Sequence, residues 1–307
     1  MPNISDILRD FVVPALIVAA AFAIGWWPGG KGRDGRWIGA IAVSAAFAAA
    51  YCAIGGTPRW PPGTGDASYW LIWLAAPTAL LGWLDALLRP PTWLRAGLLL
   101  VLMRIAAAII IAPLVPRSGD SAMSTLWLMQ ISLDVVALAA TVWWLAWETL
   151  AVRPATGGMF TPVLLVVVLA GAAAILGLSN NVKPSQVVVA LAGTAIVAVL
   201  AAWRWQVKLD RGAMLAWSVP LPLLLLFVHF YSYTEPPAVC VVLLLATPLL
   251  AFAGDLPMFR DWRPGWRWTV RLAPVVLALA AAAGMTARAF ASSPVDQGQQ
   301  SGQQDGF

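Results

Sequence analysis

Hydrophobic residues in this chain come in long runs, and polar ones in short bursts between them. Charge, glycine and proline cluster at intervals, separated by stretches that match the roughly 20 residues a helix needs to cross a bilayer. The pattern predicts ten helices: Phe11–Trp27, Trp37–Ile54, Tyr69–Leu88, Trp93–Val115, Ser124–Val152, Phe160–Leu178, Ser185–Trp205, Ala213–Tyr231, Pro237–Gly254 and Trp268–Phe290. The expected fold is an all-α, polytopic transmembrane helical bundle, one domain over residues 1–291. The longest polar connection, Gly55–Ser68, is too short for a soluble domain. From Ser292 the chain reads SSPVDQGQQSGQQDGF, a polar, low-complexity tail expected to be disordered.

The fifth run stands apart because it carries Gln130, Asp134, Thr141 and Glu148 within an otherwise apolar helix. At 100° per residue these four fall within about 40° of one another, forming one polar stripe. A carboxylate facing lipid is costly, so the stripe is expected to face protein or water. Arg104 is the basic residue lying deep inside an apolar run. Helix rise places it about 14 Å in from one end of its run, and Asp134 about 15 Å in from the opposite end of the next, so the two match in depth. One reading is a buried Arg104–Asp134 ion pair that ties the fourth helix to the fifth. The other is a polar path in which Asp134 binds a cation or carries a proton, with Gln130 at its outer end and Glu148 at its cytoplasmic end. Asp85 and Glu148 lie near the helix ends, where Arg89, and Arg95 or Arg153, offer ordinary surface salt bridges.

Charge then orients the bundle. The odd-numbered connections carry Lys31, Arg33 and Arg36, then Arg89 and Arg95, Arg153, Arg204, Lys208 and Arg211, and finally Arg260, Arg263, Arg267 and Arg271. The even ones carry Arg59, Arg117 and Lys183. By the positive-inside rule the odd connections are cytoplasmic and both termini lie outside. The first segment ends in an AxA-like Ala21-Phe22-Ala23, but its acidic start (Asp6, Arg9, Asp10) argues against a cleaved leader. Fourteen of the 18 tryptophans fall near proposed cytoplasmic helix ends, among them Trp93, Trp143, Trp144, Trp147, Trp203, Trp217, Trp262 and Trp266, which reads as an interfacial anchor belt. Pro220 and Pro222 interrupt the eighth run, as a kink or as the broken helix of a transporter site. The two halves of the chain show no self-similarity beyond their cytoplasmic turns.

Composition agrees with a membrane chain: 61% of residues are hydrophobic, 11% are charged, and mean hydropathy is +0.80. The net charge of +5 is spread over short connections, which favours topology over nucleic-acid binding. A single histidine excludes paired-imidazole haem ligation and HExxH zinc sites, and no cofactor, metal site or catalytic residue is expected. His229, Tyr231, Tyr233 and Glu235 form the one polar cluster at the outer end, suited to proton uptake, a metal or a quinone headgroup. Cys52 and Cys240 lie near the same level, where a disulfide would need suitable geometry. The first-ranked reading is a small-solute or ion transporter of a bacterial inner membrane, with Arg104 and Asp134 at its centre. The alternative is a non-catalytic scaffold or accessory subunit whose partners are the bilayer and other membrane subunits, and an enzyme ranks last.

Overall fold

The computed structural model describes positions 12–13, 15–20, 36–55, 72–73, 75–112, 121–152, 159–205, 211–232, 235–259, 262 and 264–291. Every regular element among them is helical. Ten α-helices follow in order: α1 (Arg36–Gly55), α2 (Ala75–Leu88), α3 (Thr92–Ile111), α4 (Ser121–Val152), α5 (Phe160–Leu178), α6 (Val182–Trp205), α7 (Arg211–Ser218), α8 (Pro220–Tyr231), α9 (Ala238–Leu250) and α10 (Pro264–Ala291). Positions 12–13 and 15–20 are also helical, and Val18 is buried in the main core. The rest of the first predicted helix and the tail after 291 lie outside the described residues.

Seven stretches among the described residues are long and apolar enough to cross a membrane, from Thr92–Ile111 through Gly265–Ala291. The chain is a multi-pass integral membrane protein. Its helices follow the apolar runs closely, with two departures that proline explains. The eighth run divides at Val219 into α7 and α8, because neither Pro220 nor Pro222 can donate to the carbonyl four residues back. The ninth run, with Pro248 inside it, gives way after Leu250 to 3-10 turns over Ala251–Asp255 and Pro257–Phe259. Pro274, by contrast, sits inside an unbroken α10.

Consecutive helices pack as hairpins: α1 with α2, α3 with α4, α5 with α6, and α9 with α10. Short turns with left-handed residues close two of them. Arg89 (φ 46°) ends α2 by donating its N–H to the Asp85 carbonyl at 3.0 Å, and Pro90 and Pro91 prevent continuation. Asn180 (φ 56°) ends α5 in a Schellman motif, with Asn181 N–H bonded to the Leu176 carbonyl at 2.9 Å. The short α7 sits centrally against α1, α2 and α4. Its Gly212 approaches Gly82 of α2 so closely that a Cβ on Gly82 would lie 2.9 Å from the Gly212 carbonyl oxygen. In contrast, α3 leans mainly on α4 and α8, and its opposite side forms part of the outer surface.

Candidate functional site

Two charged clusters join α3 to α4, one at each level of the pair. The first is built by the Arg89-Pro90-Pro91 turn, which is so tight that Asp85, near the end of α2, faces Arg95, in the first turn of α3. Arg95 Nε lies 3.3 Å from Asp85 Oδ1, and Arg95 Nη1 lies 2.6 Å from Glu148 Oε1 of α4. Its Nη2 donates to Thr92 Oγ1 at 3.1 Å. The Arg95, Asp85 and Glu148 side chains are 5%, 10% and 7% exposed, so these are not the surface salt bridges expected from the sequence. The burial arises because α7 packs against both α2 and α4, Asp85 of α2 reaches Arg95, and α4 contributes three tryptophans to the seal. Trp144 lies under the Arg95 guanidinium at 5.8 Å, and Trp143 and Trp147 pack edge to face at 5.7 Å. These three and Trp217, which donates Nε1–H to Thr194 Oγ1 at 2.8 Å, are buried core residues and do not belong to an interfacial belt. Trp93, Trp203, Trp262 and Trp266 are exposed, as anchors at a membrane surface are.

The second cluster contains the ion pair expected from matched depth, at 3.2 Å between Arg104 Nε and Asp134 Oδ1. Arg104 Nη2 also donates to Gln130 Oε1 at 3.3 Å. The pair is not buried: Arg104 and Asp134 are 48% and 59% exposed. The buried Arg104–Asp134 pair that one reading expected is corrected here to a half-exposed one. The stripe does run along α3 throughout, since Gln130 and Asp134 meet Arg104 while Glu148 meets Arg95. Among the described residues a third helix adds a charge only at the Glu148 end, where Asp85 of α2 reaches Arg95. Thr141, between the two clusters, is buried and donates its hydroxyl to the Ala137 carbonyl at 2.7 Å. Around Arg104 and Asp134 the outward neighbours are apolar: Val101 and Ile105 on α3, Ile131, Val135 and Leu138 on α4.

The cluster of His229, Tyr231, Tyr233 and Glu235 expected from the sequence separates into two parts. His229 Nδ1 lies 3.0 Å from Glu235 Oε2, both well exposed. Tyr231 turns away, donating Oη–H to the Ile110 carbonyl of α3 at 2.7 Å and stacking on Phe227. Tyr233 lies outside the described residues. Beside His229 and Glu235 is an apolar cavity of about 360 Å³, walled by Val135, Pro222, Leu225, Val241 and Val242. Cys52 and Cys240 are free thiols, and the Cys240 Sγ–H donates to the Ala282 carbonyl at 3.2 Å. Among the described residues no three His, Cys, Asp or Glu side chains gather as a metal ion would require.

Two arginines that look like topology markers in the sequence are structural. Arg95 is one, and the signal for it was the shortness of the Arg-Pro-Pro turn, which forces residues on either side together. Arg271 is the other: buried in α10, it pairs with Asp255 and lies over the Phe160 ring at 5.5 Å. No protein-family model matches this sequence, and no curated protein is significantly similar to it.

Proposed function

We propose that this chain is a non-catalytic subunit or scaffold of a protein assembly in a plasma membrane, holding other membrane-embedded surfaces against its own. The outward-facing Arg104–Asp134–Gln130 cluster carries this reading. It lies about 18 Å from the Thr92 end of the α3 span and about 10 Å from the Ile111 end, well inside the apolar length. Charged residues at such depth are expensive in lipid and ordinarily face protein or a water-filled cavity. Their mutual pairing lowers that cost, yet about half of each side chain remains open. A docked protein surface supplies the missing cover. A photoreactive residue in place of Ile105 tests it in native membranes: discrete protein adducts are expected there, and lipid adducts alone from Leu277 on the far side of α10. Lipid adducts alone at both positions would overturn the reading.

A second reading, a carrier for a small solute or ion, draws on one observation. The run broken at Val219 belongs to the most enclosed of the seven spans, and Pro220 and Pro222 leave the Ala216 and Ser218 carbonyls without their helical donors. Alternating access requires water to reach that break from each side in turn. A Ser218→Cys variant labelled by water-soluble thiol reagents from both faces would favour the carrier. One inert from both faces would favour the assembly.

A further inference from the structure

We propose that the surface formed by α3 and α4 around Arg104 and Asp134 docks a second copy of this chain, about a twofold axis along the membrane normal. The proposal rests on the lateral-assembly reading and names its partner. The positive end of the pair is on α3 and the negative end on the neighbouring α4. Its dipole therefore points from helix to helix, across the surface and in the plane of the membrane. A twofold axis along the normal reverses every in-plane direction. The second copy's pair then runs antiparallel to the first, with Arg104 opposite the partner's Asp134 and Asp134 opposite the partner's Arg104.

The result is a neutral square of four alternating charges. Each carboxylate gains a second cation and each guanidinium a second acceptor for the N–H groups its own Asp134 and Gln130 leave free. A foreign helix with a single charge would match one end of the pair and oppose the other, so self-pairing fits this pattern best. The surroundings suit close helix approach. Leu98, Val101 and Ile105 on α3 and Ile131, Val135 and Leu138 on α4 follow three- and four-residue steps on one continuous outward face. Gly97 lies one turn before Val101 on the same side, and a Cβ added to it would meet nothing within 4 Å. That opening admits a neighbouring backbone.

The test exploits the symmetry. The charge-swapped variant Arg104→Asp/Asp134→Arg keeps its internal ion pair, so it folds, and it remains complementary to itself. Against the wild type it places like charges opposite each other at both contacts. Full-length wild-type and swapped chains bearing different tags are co-expressed and extracted directly into native nanodiscs. Wild-type pairs and swapped pairs are both expected, with mixed pairs depleted about tenfold below their statistical share. Mixed pairs at the statistical share would overturn the charge square, and one copy per disc would overturn self-docking altogether. In the latter case the Ile105 crosslink separates the two ideas. Adducts to a different protein would leave the assembly reading standing, and adducts to lipid alone would remove both.

Discussion

Replacing Arg95 by methionine removes the centre of the buried cluster while keeping most of its apolar volume. Two carboxylates, Asp85 and Glu148, then face the space the guanidinium filled. At an effective dielectric constant near 20, each opposite-charge pair at about 4 Å is worth about 4 kcal/mol before desolvation is counted. Removing one member of a buried pair costs about 3–5 kcal/mol, and that is the loss expected for Arg95→Met. Arg95→Lys keeps the charge but cannot reach Asp85, Glu148 and Thr92 together, so a loss of about 1–3 kcal/mol is expected. Replacing the whole cluster by apolar residues, as Asp85→Leu/Arg95→Met/Glu148→Met, should recover most of the stability lost by Arg95→Met alone. Equilibrium unfolding by steric trapping in bicelles measures all three. A loss below about 1 kcal/mol for Arg95→Met, the range of an exposed pair, would refute the burial argument. So would a triple variant less stable than the single one.

The two glycine environments give opposite expectations. Gly82→Ala forces a methyl group against the Gly212 backbone and should cost about 1–3 kcal/mol in the same unfolding assay, whereas Gly97→Ala should leave the monomer as stable or more so by up to about 1 kcal/mol. Tyr231→Phe loses the hydrogen bond that joins α8 to the Ile110 carbonyl of α3, for about 1 kcal/mol and no change in expression. In folded protein Cys240, fully enclosed between α9 and α10, should resist maleimide until unfolding, while half-buried Cys52 reacts first; mass spectrometry of partly labelled protein gives the order.

Most helices were readable because they follow long apolar runs, and Pro220 and Pro222 marked the eighth run for a kink or a break, which the structure places at Val219. The Arg104–Asp134 pair was readable too, since rise per residue and a short connection fix relative depth on neighbouring helices. Which way that pair faces was not. Outward or inward depends on what a third helix brings to the α3–α4 groove: Asp85 of α2 reaches Arg95 beside Glu148, and no described residue of a third helix does the same at Asp134. The same non-local cause hid Arg95, Arg271 and the tryptophans of α4. A basic or aromatic residue near a helix end looks identical in sequence whether it meets headgroups or is enclosed where helices converge.

Two ion pairs at different heights do something that one cannot. A single contact between neighbouring helices acts as a pivot, about which they can swing. Arg95–Glu148 and Arg104–Asp134 together join α3 to α4 at two points, so a swing about one is opposed by the other. A slip of one residue, about 1.5 Å, would stretch both contacts at once. The second contact therefore fixes the register and the crossing of α3 on α4, which either contact alone would leave free to pivot.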